Sequence, residues 1–410
     1  MILQKLKASS LLQAVFVCFL IATLCFGIIL LSSYNSLFQK RILQKTQLQL
    51  TNDAAITLLL SDAANITNGS TQMSVFSNQV NTNTNIKDWG FYKVISAKTY
   101  YNKDTIRKSI LVGKTAKSTT ALYVTNYDKI VNVAGTVTIT GDVFVPKGLL
   151  EKRNLFGEQT TITIQGAQKE AENQLPKLRA INTNCIPESA ANLSEEQLEK
   201  ESIYVRSFDK ETQVCHTNNL SFLEGKIVKG NIIFQSNGTL ILNKHMQLED
   251  VIINARNVVI QSGFKGTVQI IASSSVVVED DVKLSYPSSI LVQHPSNVTN
   301  VTIGKESVII GGIIVNNSTH NKVLESVISI GEDALIVGAV YCYGTLELKG
   351  NVYGSVFADR LLTKTKETSY ANLLMDAEID VSKLPENFIG IPLFETTHND
   401  KNMYETVKEL

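Results

Sequence analysis

The sequence predicts a mainly β protein: an N-terminal transmembrane helix and helical stalk, then a parallel β-solenoid (β-helix) with an inserted irregular and helical segment. Three observations predict it. Residues 11–31 read LLQAVFVCFLIATLCFGIILL, with no charge. Apolar triplets recur between 232 and 278 at a common spacing of about 18 residues. Between these two regions, strand-like alternation is interrupted over 147–222, where a helix-capping motif appears.

The apolar run belongs to the first segment, 1–33. At 1.5 Å per residue it spans about 30 Å, the thickness of a bilayer's hydrocarbon core. The alternative is a cleavable signal peptide, with an apolar run of about 7–15 residues and a small-x-small site. Ser32-Ser33-Tyr34-Asn35 offers no such site. Lys5 and Lys7 precede the run, while Lys40, Arg41 and Lys45 follow it. Positive charge on both flanks nearly balances, but the N-terminal flank is short and its lysines lie closer to the helix end. A single-pass topology is therefore expected, with a cytoplasmic N-terminus and the body in the periplasm or at the cell surface.

Residues 34–64 continue as a helical stalk. Leu37, Ile42, Leu43, Leu48, Leu50, Ile56, Leu58 and Leu59 are spread among Gln, Lys and Thr, with no Gly or Pro to stop the helix. One face is expected to pack on the body. In the third segment, 65–146, the Asn/Thr/Ser-rich stretch 65–88 reads as loop. Short strands follow at 90–97, 110–113, 121–124, 130–133, 136–140 and 142–145. The fourth segment, 147–222, is an insertion with a strand at 160–164 and a short helix. Ser194 and Gln197 form a capping box for that helix.

The solenoid is expected over 223–360. Ile241, Val259 and Val277 are centres of successive triplets, as are Ile233, Ile252 and Ile270. A coil of about 18–22 residues with short strands and polar turns is one rung of a parallel β-solenoid, whose Val and Ile ladders stack inside. Ile241, Val259 and Val277 are then expected to be inward-facing neighbours one rung apart. An antiparallel sandwich is the alternative, since its strands also recur closely. The last segment, 361–410, reads as a cap: a helix over 370–376, irregular chain past Pro385, and a frayed polar tail from Thr396.

Lys plus Arg and Asp plus Glu both number 38, so the chain has no formal net charge. Nucleic-acid binding, which draws on a basic excess, is not expected. Cys18 and Cys25 lie in the membrane helix, and Cys342 lies in a β-rich run. Cys185 and Cys215 could form a disulfide closing a long loop, or be two unrelated thiols. His216, His245, His294, His320 and His398 show no metal-ligand spacing. Glu279-Asp280-Asp281 follows a strand and reads as a solvated turn or, alternatively, a calcium site; Glu249-Asp250 reads as an equivalent turn. No residues are assigned to a catalytic, cofactor-binding or metal-binding site, and no cofactor is expected. Sequons at Asn65, Asn297 and Asn300 are of the kind any Asn/Thr-rich chain produces.

Two resemblances bear on role. Lys5-Leu6-Lys7-Ala8-Ser9-Ser10-Leu11-Leu12-Gln13-Ala14-Val15, running into a membrane helix with an amphipathic extension, resembles the N-terminus of type IV pilin-like proteins and pseudopilins. That resemblance implies peptidase cleavage of a basic leader and subunit assembly. Ala8 stands where the family usually has glycine, and Gln13 where it has a glutamate. Val133-Ala134-Gly135-Thr136-Val137-Thr138-Ile139-Thr140-Gly141-Asp142-Val143-Phe144-Val145 and Lys349-Gly350-Asn351-Val352-Tyr353-Gly354-Ser355-Val356 resemble bactofilin-like, polymer-forming β-helices. That resemblance implies a scaffold without catalysis. The expected role is a bacterial cell-envelope structural or assembly protein, not an enzyme. Its expected partners are the membrane, envelope proteins or glycans, and further copies in a homo-oligomer or assembly. The alternative is an envelope-tethered carbohydrate-active enzyme, a polysaccharide lyase or hydrolase, which would need carboxylates and a base lining one groove.

Overall fold

The structure is a computed structural model. It describes residues 8–61, 68–76, 80–114, 118–155, 157–179, 181, 183–294, 298–317, 326–391, 393–394 and 404–410. Lys5, Lys7, His320, His398 and the sequons at Asn65 and Asn297 lie outside the described residues. One helix, α1 (Ala8–Ser61), carries both the apolar run and the stalk. Strands β1 (Gly69–Met73), β2 (Asn81–Trp89), β3 (Tyr92–Tyr101) and β4 (Asp104–Lys114) form a sheet, completed beside β4 by the C-terminal strand Tyr404–Glu409. Among the described residues the other strands form one parallel coil, apart from Ser369–Ala371, which pairs antiparallel with Leu362–Lys364.

The stretch 65–88 is therefore not simply loop. In β2, Thr82, Thr84 and Ile86 are buried, whereas Asn83 and Asn85 are exposed. The alternation is between Thr and Asn, so it has the period of a strand without a contrast in hydrophobicity. The tail is not frayed over its last residues either: Tyr404–Glu409 pairs antiparallel with Ile110–Lys114.

The chain forms two compact units, 1–57 with 71–84 and 97–107, and 58–70 with 85–96 and 108–410. In the first, the stalk half of α1 buries Leu48, Thr51, Asn52, Ala55 and Ile56. Spacings of three and four place these on one helix face. Asn52 donates through Nδ2 to Ala97 O (3.1 Å) and to Thr99 Oγ1 (2.9 Å), and Thr99 is hydrogen-bonded to Thr82 (2.9 Å). Leu37, Ile42, Leu43, Leu50 and Leu58, also expected on the packing face, are exposed.

In the second unit each rung has three walls. Gln247–Glu249, Ile252–Ala255 and Asn257–Ile260 are the first, second and third walls of one rung; register shifts near Asp250 and Arg256 turn the corners. Pairing is parallel throughout the walls, which excludes the sandwich. Ile241 pairs with Val259, and Val259 with Val277, so the 18-residue register of the third wall is correct. Their facing is the reverse of expectation. Ile241 is 46% exposed, and Val259 and Val277 are half-buried, while Leu240, Val258 and Val276 and also Leu242, Ile260 and Val278 fill the interior. Each triplet thus has inward flanks and an outward centre. On the second wall the register slips: Ile252 pairs with Gln269, and Ile253 with Ile270.

Solenoid pairing is not confined to the stretch from 223 onward, and just before it the pairing already includes Ala191. Ala191–Asn192 pairs with Gln213–Val214, and Ile203–Arg206 with Ile227–Gly230. The short helix α2 (Glu195–Glu199) has the expected Ser194–Gln197 capping box, and Leu198 is buried. Leu198, Leu193, Leu220 and Leu223 plug this end of the interior. The cap helix expected over 370–376 is absent: those residues lie in the strands Ser369–Ala371 and Leu373–Asp380. They do not close the coil. Leu373–Asp380 pairs parallel with Asn132–Thr140, and Val356–Ala358 with Leu122–Val124. The early strands at 120–170 thus continue the coil beyond its last rung, and 171–190 connects them back to its first.

Candidate functional site

The coil carries a second apolar cluster on the outer side of its second wall. Its outward residues are apolar: Val214, Ile233, Ile252, Ile271, Leu291, Ile314, Tyr341, Phe357 and Tyr123 are buried in a cluster separate from the interior core. A strand covered on both faces needs apolar residues at every position, which is why these triplets are continuous. The cover is the returning segment. Tyr123 donates through its hydroxyl to Gln174 O (3.1 Å) and Tyr341 to Pro176 O (3.2 Å), while Leu175, Leu178 and Cys185 pack over the ladder. Tyr341, Phe357, Tyr123 and Phe144 stack at centroid spacings of 6.4, 6.1 and 5.8 Å.

The acidic triplet is a turn. Glu279 Oε2 accepts from Ser262 N (3.0 Å) and Asp280 Oδ1 from Lys305 N (2.7 Å), so both carboxylates cap backbone of neighbouring rungs. Asp281, at φ 53°, holds the corner, as do Glu306 and Asp333 at 56° and 58° in later rungs. The short polar side chain of Asp tolerates this left-handed conformation at two of the three corners. Among the described residues, no group of three or more His, Cys, Asp and Glu side chains is placed to hold a metal ion.

Glu249 and Asp250 lie at a corner of the coil, where Asp250, at φ 59°, turns the first wall into the second. They lie within the strand Gln247–Ile260, where sequence reasoning had no means of seeing their partner. Lys408, on the C-terminal strand, donates to Glu249 Oε1 (2.8 Å) and Asp250 Oδ2 (2.9 Å), and Lys229 also reaches Glu249 (2.9 Å). Burial pushes the Asp250 carboxyl up, opposed by Lys408, whereas the hydrogen bond from Lys408 draws Glu249 down. Burial alone would lower Lys408, but its two carboxylate partners carry it above the usual lysine range.

The cysteines outside the helix are free. Cys215 faces the interior, and Cys185 sits over the outer ladder, accepting from Asn254 Nδ2 at 3.3 Å. The wall between them separates the two thiols, so they form no disulfide. Burial raises both, Cys215 to about 11, which keeps them protonated and inert. His216 and His245 are exposed turn-side residues, and His294 is half-buried.

The remaining feature is α1. Its apolar half is exposed throughout, with Leu11, Phe16, Phe19, Leu24, Ile28 and Leu31 all more than half exposed. Among the described residues this is the one helix long and apolar enough to cross a membrane.

The sequence matches no known protein family and no curated protein. Among solved structures, that of the competence-associated pilin ComZ from Thermus thermophilus is similar at TM-score 0.23 and 10% identity, over 84% of this chain and 86% of that one.

Proposed function

We propose that this chain is a membrane-anchored, pilin-like component of a bacterial cell envelope, with its N-terminus in the cytoplasm. Its solenoid is held outside as a non-catalytic surface for protein or glycan contacts. The exposed apolar half of α1 is the observation that carries the reading. Such a stripe needs lipid or other apolar helices around it, because water makes it costly at about 25 cal/mol per Å². Exposed Leu37, Phe38, Ile42 and Leu43 extend the stripe past Leu31. That extension supports assembly with further copies, for which apolar surface beyond the bilayer is useful. The test is fractionation with protease accessibility on the double variant Phe19→Asp, Leu20→Asp. Each mid-bilayer Asp costs about 3 kcal/mol, so the variant is expected to leave the membrane fraction. Unchanged membrane retention, or a body protected from external protease, would refute the reading.

A further inference from the structure

A cavity of about 510 Å³ opens within the second unit, beneath the returning segment. Its walls come from Lys87, Asp88 and residues 90–93, from Val112 and Gly113 of β4, from Arg179 and residues 184–188, and from Tyr404. That volume suits a small ligand. The cations lining it are unequally matched. Lys93 is satisfied: it donates to Asp88 (2.8 Å) and Asn68 (2.9 Å), and Asn68 also donates to Asp88 (2.6 Å).

Arg179 and Lys87 are different. Arg179 is fixed by its backbone N–H to Leu393 O (2.9 Å) and through Nη2 to Phe91 O (3.3 Å). Its Nε is buried with no hydrogen-bond partner. Lys87 lies 5.6 Å from the centre of the Phe208 ring. Neither cation has a carboxylate within ion-pairing distance among the described residues. Burial lowers both, Lys87 to about 8 with Arg206 adding to the effect, while Asp209 opposes it for Lys87 and Tyr404 and Asp88 oppose it for Arg179. A half-buried cation without a carboxylate partner is costly, so the cavity has capacity for an anion.

We infer that this cavity binds a carboxylate-bearing sugar, with the carboxylate on Arg179 and Lys87 as the second cation. A guanidinium edge matches a planar carboxylate in two parallel hydrogen bonds. Phe91, Tyr92 and Tyr404 supply rings for the apolar face of a pyranose, and Asn184 and Glu188 supply polar groups for its hydroxyls. The inference deepens the glycan-contact reading and rests on it for the choice of ligand. Its test is independent of anchoring, because membrane retention of the chain is a separate measurement.

The experiment is calorimetric titration of the full chain in detergent with D-galacturonate, its methyl ester, galactose, inorganic phosphate and a short peptide with a free C-terminal carboxylate. Galacturonate is expected to bind, with the methyl ester and galactose at least tenfold weaker. Arg179→Gln is expected to lose at least tenfold in affinity, and Lys87→Met a smaller factor, with wild-type melting temperatures. Absence of galacturonate binding, equal binding of the methyl ester, or unchanged affinity in folded Arg179→Gln overturns the inference. Tighter binding of phosphate or of the peptide overturns the sugar assignment. Should Arg179→Gln not fold, the comparison of galacturonate with its methyl ester on the wild-type chain still decides.

Discussion

Val258 and Val259 are adjacent, chemically identical and oppositely placed. Val258 is fully buried in the coil and Val259 is half-buried on its outer side. Val258→Asp is expected to abolish cooperative folding, because it buries an unpaired carboxylate among Leu240, Val276 and their neighbours. Val259→Asp is expected to cost about 1 kcal/mol or less. Thermal unfolding followed by circular dichroism distinguishes them, and equal losses at both sites would place the interior on the wrong face. The sequence made the register legible here, since any residue of a triplet recurs with its period. It left the facing illegible, since three consecutive apolar residues do not alternate. The pairing of buried Asp250 with half-buried Lys408 was hidden for another reason: its partners are brought together by the C-terminal strand, at a separation no local pattern records.

Among the elements, the corner glycines explain a rhythm visible in the sequence. Gly311, Gly338 and Gly354 stack in register where the first wall turns into the second. Their φ values are 154°, 134° and 147°. A Cβ on Gly338 would lie 1.5 Å from Gly311 O, and one on Gly354 would lie 1.9 Å from Gly338 O. The column therefore excludes every side chain, and the recurrence of glycine is a matter of clearance between rungs. Gly338→Ala is expected to destabilise the chain by about 3–5 kcal/mol, read as a lowered denaturation midpoint. A midpoint within error of the wild type would show that the rungs are farther apart at this corner. The elements that escaped sequence reading are those whose inward residues are not hydrophobic, as with Thr82 and Thr84 of β2, or whose partners are distant, as with Leu373–Asp380. Seven residues with apolar spacing near 370 suit a two-turn helix or a strand equally. The presence of Asn132–Thr140 alongside decides for the strand.

At the scale of the molecule, the coil is assembled out of chain order. Repeat proteins ordinarily behave as stacks of neighbours whose ends are independent. Here the last-made rung meets strands from far upstream, Ile379 lying beside Ile139 and Phe357 beside Tyr123. Deleting residues 119–170 is expected to uncover a parallel edge along Leu373–Asp380 and to produce oligomers or aggregates by light scattering, because open edges recruit other strands. A monomeric deletion variant with an unchanged melting temperature would show the junction to be dispensable. The same junction sets a timetable. The strands at 120–170 leave the ribosome earlier and wait for a neighbour encoded about 240 residues later, a delay of roughly 12–48 s at ordinary synthesis rates. Through that interval they have only one another, Leu122 beside Val143 and Ile139 beside Ile164, with one flank open, so a chain delivered across a membrane would reach its destination with its beginning still unfinished and its end needed to complete it.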